Sequence, residues 1–147
     1  MSVWFWTDVW VANAGILATR LTTAPPAETI NLSSAANNRM ESYVYGKTTY
    51  ALLAGTAAAI PTGTWHHCVV VYNSTATPKE VMYLDDTWHT AANTTIGTAT
   101  NNAVWSIGWD PYGTARSFNG RIDDARLYNR ALTSNEWRSL HFTEGRR

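Results

Sequence analysis

Residues 65–72 read WHHCVVVY, an apolar run closed by Pro61-Thr62-Gly63 on one side and Asn73-Ser74 on the other. Aromatic and β-branched residues bounded by turn formers predict a strand. The same pattern recurs along the chain. It predicts strands at residues 3–11, 15–21, 29–32, 40–45, 49–53, 80–84, 104–109 and 120–128. Turn signals separate them: Pro25-Pro26, Asn37-Asn38, Gly46-Lys47, Asp85-Asp86 and Asp110-Pro111-Tyr112-Gly113. Residues 54–60 are small and apolar, read as strand plus loop, and 93–102 are polar and loop-like. There is no internal repeat and no linker, so residues 1–147 read as one domain.

Two segments break the simple pattern. Alternation along the first strand puts Val3, Phe5, Val9 and Val11 on one face and Trp4, Trp6 and Trp10 on the other. Both faces are then apolar, whereas an ordinary sandwich strand wets one of them. A solvated row of three indoles would be a large exposed patch. A loop of the same chain, a ligand or a neighbouring chain could cover it. The expectation favours the neighbour, making Trp4, Trp6 and Trp10 interface residues. The second segment is the ending, SFNGRIDDARLYNRALTSNEWRSLH, where a turn at Phe118-Asn119-Gly120 leads into a strand and then into helix signals. Thr133 and Glu136 have capping-box spacing, and Leu132 and Trp137 that of a hydrophobic staple. Trp137, Leu140 and His141 share one side of a short helical turn that must dock to be stable.

Composition narrows the function. Formal net charge is zero and charged residues make up 15% of the chain, which disfavours nucleic acid and anionic membranes as partners. Eight Trp and seven Tyr, with no long helical pattern, favour an all-β sandwich. No apolar run approaches the ~20 residues of a membrane span. The start, MSVWFWTDVWVANAG, lacks a basic region and carries Asp8, so it does not read as a signal peptide. An extracellular or virion-surface protein would then be a piece of a longer chain or part of a particle released by lysis. Cys68 is the only cysteine, which excludes an intrachain disulfide and suits a buried thiol.

Several segments together resemble the laminin G-like, concanavalin A-like jellyroll family. Gly63-Thr64-Trp65-His66-His67 leading into Cys68-Val69-Val70-Val71-Tyr72-Asn73 is similar to its "GTWHH" strand. Met82-Tyr83-Leu84-Asp85-Asp86 resembles its "lYvDG" hairpin, with Asp86 where Gly is usual. Ser106-Ile107-Gly108 resembles "lxiG", and residues 118–136 resemble the closing "fnGxIDevriynraLsxxE". Ahead of residue 60, Val3 to Thr7 resembles "saWvk" and Gly15-Ile16-Leu17 its "gil" partner. The resemblance implies a two-sheet antiparallel jellyroll with a short C-terminal helical turn. It also implies one or two further strands before the "saWvk" strand, pairing with the closing strand, and this chain lacks them.

The candidate chemistry points to binding. Some hydrolases share the fold, but retaining hydrolysis needs two carboxyl groups about 5–5.5 Å apart. The E-x-D-x-x-E run of the glucanase relatives is missing here. The adjacent pairs Asp85-Asp86 and Asp123-Asp124 diverge if they lie on strands, so no enzymatic activity is expected. His66 and His67 diverge likewise, which suits one packed inside and one at the surface rather than a shared metal. The resemblance implies a possible rim calcium, for which Asp85, Asp86, Asp110, Asn119 and Asp123 are candidates by type. No cofactor is required otherwise. Exposed rings beside polar groups suit sugar binding. Trp109, Asp110 and Tyr112 form one such set and Trp88 with His89 a second, the alternative being rings that cap the sandwich ends. The sequons at Asn31, Asn73 and Asn93 are of a kind that arises by chance in an Asn/Thr-rich chain. Two functions follow. One is a lectin-like or adhesive module binding glycan or protein. The other is a structural virion subunit, such as a decoration or cement protein, with a neighbouring chain or homo-oligomer completing the sheet.

Overall fold

The structure, a computed structural model, describes residues 1–20, 27–32, 39–45, 50–53, 59–90 and 104–144. The described residues form strands β1 (Ser2–Thr7), β2 (Gly15–Arg20), β3 (Ala27–Leu32), β4 (Met40–Tyr45), β5 (Tyr50–Leu53), β6 (Trp65–Tyr72), β7 (Glu80–Leu84), β8 (Thr87–Thr90), β9 (Trp105–Ile107) and β10 (Gly120–Arg126), then helix α1 (Ser134–Glu144). The first sheet has the order β10-β1-β6-β7-β8 and the second β5-β4-β3-β2-β9. Every pairing is antiparallel. This is the expected two-sheet sandwich.

Alternation decides what lies between the sheets. Val3 and Phe5 of β1, Cys68 and Val70 of β6, and Met82 and Leu84 of β7 face Ile16, Ile30 and Met40 from the second sheet. Cys68 is a buried free thiol, and burial pushes its pKa far up, so it packs as a small hydrophobe. The core also holds Glu80, 1% exposed, whose Oε1 accepts a 2.8 Å hydrogen bond from the Ser42 hydroxyl across the sandwich.

Three elements depart from the sequence expectation. β1 ends at Thr7, not Val11. The Thr7 hydroxyl donates to the Val9 carbonyl, and Ala14 N–H to the Val11 carbonyl, which folds residues 8–14 into a turn with Asn13 at φ 60°. The three-indole row therefore does not exist. Trp10 packs against the core, and Val9 is exposed. Trp4, only 7% exposed, is covered by its own chain. Trp6 is half-buried, its indole N–H bonded to Asp8 and its ring beside Trp65 and Arg121. β1 is paired on both sides, so the edge of this sheet is β10 rather than β1.

β8 is the second departure. It completes a hairpin through the two-residue turn Asp85-Asp86, with φ of 47° and 67°. Positive φ at both positions suits the twist of adjacent strands. The third is α1, which runs for 11 residues. Its capping box is half formed: Glu136 accepts from Thr133 N–H at 2.8 Å, but the Thr133 hydroxyl also donates to Glu136 instead of capping a backbone N–H. Arg130 completes a bidentate pair with Glu136.

The loop after β9 is clamped to β2 at Gly15. Gly15 N–H donates to the Arg116 carbonyl, and a Cβ on Gly15 would stand 2.5 Å from Asp110 N. Gly15→Ala is expected to destabilise the protein by about 2 kcal/mol through overpacking against backbone. Urea denaturation measures this, and an unchanged midpoint would show that the loop yields freely.

Candidate functional site

Three places carry the residues singled out in the sequence. The first lies on the outer face of the first sheet. Because Met82 and Leu84 point inward, Tyr83 points out, and its cross-strand partner Trp88 points out beside it. Helix α1 lies against this face. Trp137, 2% exposed, stacks on Tyr83 with ring centroids 3.9 Å apart. The next helix residue, Arg138, reaches the hairpin turn, its Nε 3.3 Å from Asp86 Oδ1 and its guanidinium over the Trp137 ring. Tyr83, Asp86, Trp88, Ser134, Trp137 and Arg138 line a cleft of about 270 Å³. Trp88 is 60% exposed, and Trp137 Nε1 is buried with no acceptor among the described residues.

His89 does not join Trp88. It pairs with inward-pointing Met82 and so faces the opposite side of the sheet, which corrects their assignment to one site. Burial lowers its pKa.

The second place is the loop over residues 108–117. Trp109 and Tyr112 are exposed, as expected, but Asp110 is 1% exposed. Its carboxylate is held by Arg116 Nη1 at 2.7 Å and by Tyr112 N–H at 3.0 Å, and Arg116 also covers the Tyr112 ring. Asp110 therefore builds the loop and is not presented to a ligand. The loop leads into β10, while Trp88 lies on β8 at the other edge of the same sheet. The two aromatic sets do not form one surface.

The third place is the histidine pair. His66 points into the sandwich, with Nδ1 2.5 Å from Asp85 Oδ2 and Nε2 2.9 Å from the Pro61 carbonyl. Burial lowers its pKa, but the Asp85 hydrogen bond and charge and the Pro61 carbonyl outweigh that, and the net shift is upward. His67 points outward yet is only 2% exposed, so the expected surface histidine is instead covered by α1. Its ring packs against both Trp4, at 4.7 Å, and His141, at 5.6 Å, and those two rings are themselves 5.6 Å apart. Burial and His141, against the opposing charge of Asp85, hold its pKa down at about 4. The two rings diverge, as the sequence requires, and share no metal position.

The acidic residues expected around calcium are dispersed. Asp85 binds His66 and the His67 N–H, Asp86 binds Arg138, and Asp110 binds Arg116. Asp123 accepts from the Asp124 N–H, and Asn119 offers its backbone carbonyl to Asp8. Asp123 pairs with Trp4, Trp4 with His67, and Asp85 N–H bonds His67. Asp123 and Asp85 are thus three strand spacings apart, about 14 Å. Among the described residues no three His, Cys, Asp or Glu side chains gather as a metal set.

A second cleft of about 250 Å³ lies between Met1, the end of β6 and residues 128–132. Its guanidinium, Arg130, is held by Glu136, and it has no ring as exposed as Trp88.

No curated protein matches the chain. Two solved structures are similar in fold. Domain 4 of AbnA, a GH43 extracellular arabinanase from Geobacillus stearothermophilus, in complex with arabinotriose, is 21% identical with a TM-score of 0.69; the match covers 95% of this chain and 64% of that one. The heptameric SAP-like pentraxin of Limulus polyphemus is 11% identical with a TM-score of 0.64, over 95% of this chain and 68% of that one. The chain thus spans slightly less than two thirds of the arabinanase domain. Residues 1–136 match the sequence pattern described as the Concanavalin A-like lectin/glucanases superfamily, which agrees with the two antiparallel sheets. On that match the chain belongs to the Concanavalin A-like lectin/glucanases superfamily.

Proposed function

We propose that this chain is a non-catalytic recognition module that binds carbohydrate in the cleft between the β7–β8 hairpin and α1, and that it acts at an extracellular or particle surface. The observation that carries the reading is Trp88, a ring 60% exposed beside the Asp86–Arg138 pair. An indole face packs on sugar C–H groups, while a carboxylate and a guanidinium bond the hydroxyls. Domain 4 of the arabinanase, similar in fold, was solved with arabinotriose, which supports a sugar as ligand class. The absence of catalysis is supported by the lining: Asp86 is the one carboxylate among the cleft residues, and glycoside hydrolysis by paired carboxylates needs two.

The test is a glycan array, run with calcium and with chelator, comparing the parent protein with Trp88→Ala. The variant should lose binding by roughly tenfold or more, about 1.4 kcal/mol. Its melting temperature should stay near that of the parent, since an exposed side chain contributes within about 0.5 kcal/mol. Full binding by Trp88→Ala would reject the cleft.

Assembly as a virion subunit is the second reading, favoured by the outer edge of β10, which pairs with no described strand, and by a heptameric structural neighbour. The same edge also opposes strand addition. β10 carries Arg121, Asp123, Asp124 and Arg126, and the register shift opposite Ser2 and Trp4 coincides with Asp124 at φ 47°. Charges and bulges of this kind keep edges from pairing. Sedimentation at high dilution separates the readings: a monomer favours the module.

A further inference from the structure

We infer that the cleft reads a single neutral sugar unit through two neighbouring hydroxyls, with Asp86 as the selecting residue; this rests on the carbohydrate reading above. The backbone of Asp86 is the first support. It holds φ 67° in a two-residue hairpin turn, where glycine would sit without steric cost. A carboxylate kept in a left-handed position at the rim of a cleft is the kind of local strain that accompanies a functional role.

The polar groups at the rim set the ligand chemistry. Arg138 and Asp86 touch through one long contact, Nε to Oδ1 at 3.3 Å, with side chains 55% and 40% exposed. Arg138 Nη1 and Nη2 and Asp86 Oδ2 make no other hydrogen bond among the described residues. One acceptor beside two donors fits a pair of adjacent hydroxyls, one donating to Oδ2 and the other accepting from the guanidinium. The two formal charges cancel, so the rim offers no excess charge to a uronic or sialic acid.

Size sets the length. About 270 Å³ lies just below the roughly 300–1,000 Å³ of ordinary ligand pockets. Trp88 is the one ring open to stacking, because Tyr83 is stacked on Trp137 and Trp137 is buried. One platform and one diol reader serve one sugar unit.

The experiment is an NMR titration of the Trp88 indole N–H with arabinose-, xylose-, glucose-, mannose- and galactose-based glycosides and with galacturonic acid oligomers, each as monomer, trimer and hexamer. The inference expects the tightest response from a neutral series, with affinity per molecule changing by less than about tenfold from monomer to hexamer. It also expects Asp86→Gly to weaken that binding by about tenfold, the size of a lost hydrogen bond to a charged group, while the melting temperature holds or rises as turn strain is relieved. A preference for galacturonic acid, a steep gain with length, or unaltered binding by Asp86→Gly overturns the inference while leaving carbohydrate recognition standing. No response to any sugar overturns both.

Discussion

Trp137→Ala is expected to destabilise the protein by about 4 kcal/mol, within the range for truncating a buried aromatic. Trp137 is 2% exposed, and its ring lies flat on Tyr83 at 3.9 Å. It is also what fastens α1 to the sheet. An 11-residue helix is marginal alone in water, so its stability comes from the docked face. Loss of Trp137 should therefore loosen the whole helix and with it Arg138, one wall of the cleft. Chemical denaturation reads the stability loss, and sugar binding should fall in parallel. Trp88→Ala is the internal contrast, with binding lost and stability kept. A neutral Trp137→Ala would mean that α1 does not dock as described.

Acidification from pH 6.5 to 4 is expected to remove about 3 kcal/mol of stability through His67. The sign follows from its pKa, lowered from 6.5 to about 4 by burial and by His141. Between those values the unfolded chain binds a proton that the folded chain refuses, so stability is present above 6.5 and falls as pH drops. A difference of about 2.5 units corresponds to about 3 kcal/mol. Trp4, His67 and His141 form one cluster of mutually contacting rings, and Asp85 and Arg126 are the other charged groups acting on His67. His89, with its pKa lowered by burial, acts in the same direction. His66, with its pKa raised, acts above this window: its contribution is full below 6.5 and disappears only as pH climbs through its folded value, so it leaves the loss between 6.5 and 4 standing. Urea midpoints at pH 7 and pH 4.5 for the parent and His67→Gln measure the effect. The parent should lose stability and the variant should lose much less. A parent that is equally stable at both pH values would contradict the packing of this cluster.

Much of the sandwich was legible because burial writes itself into period two. Residues 40–45, 65–72 and 80–84 are strands as patterned. The errors came where backbone turns override side-chain type. Alternation carried past Thr7 puts Trp10 on the face of Trp4 and Trp6, but the turn at residues 8–14 sends it to the core. Thr87-Trp88-His89-Thr90 lacks a strand-like apolar run, so β8 went unseen, and with it the fact that Trp88 and His89 face apart. The Asp85-Asp86 turn that creates β8 was the available signal. Asp110 is a candidate by residue type, but nothing local marks Arg116 as the partner that holds it inside. The staple spacing of Trp137 pointed to a docked ring, yet its stacking partner, Tyr83, lies far away in sequence and only the folded sheet brings it there. The cleft is a product of that long-range packing. Its residues come from a hairpin and a helix some fifty positions apart, and only Trp88 and Asp86 among them stood out beforehand as ligand or metal candidates.

Sugar binding at the β7–β8 hairpin and α1 is tested by an NMR titration that follows all the Trp indole N–H signals. With the neutral oligosaccharide that responds most strongly on the array, Trp88 and Trp137 are expected to shift together and saturate with one affinity, while Trp109 stays still. Shifts at Trp109 with Trp88 and Trp137 unmoved would contradict it and place binding on the loop beside Tyr112.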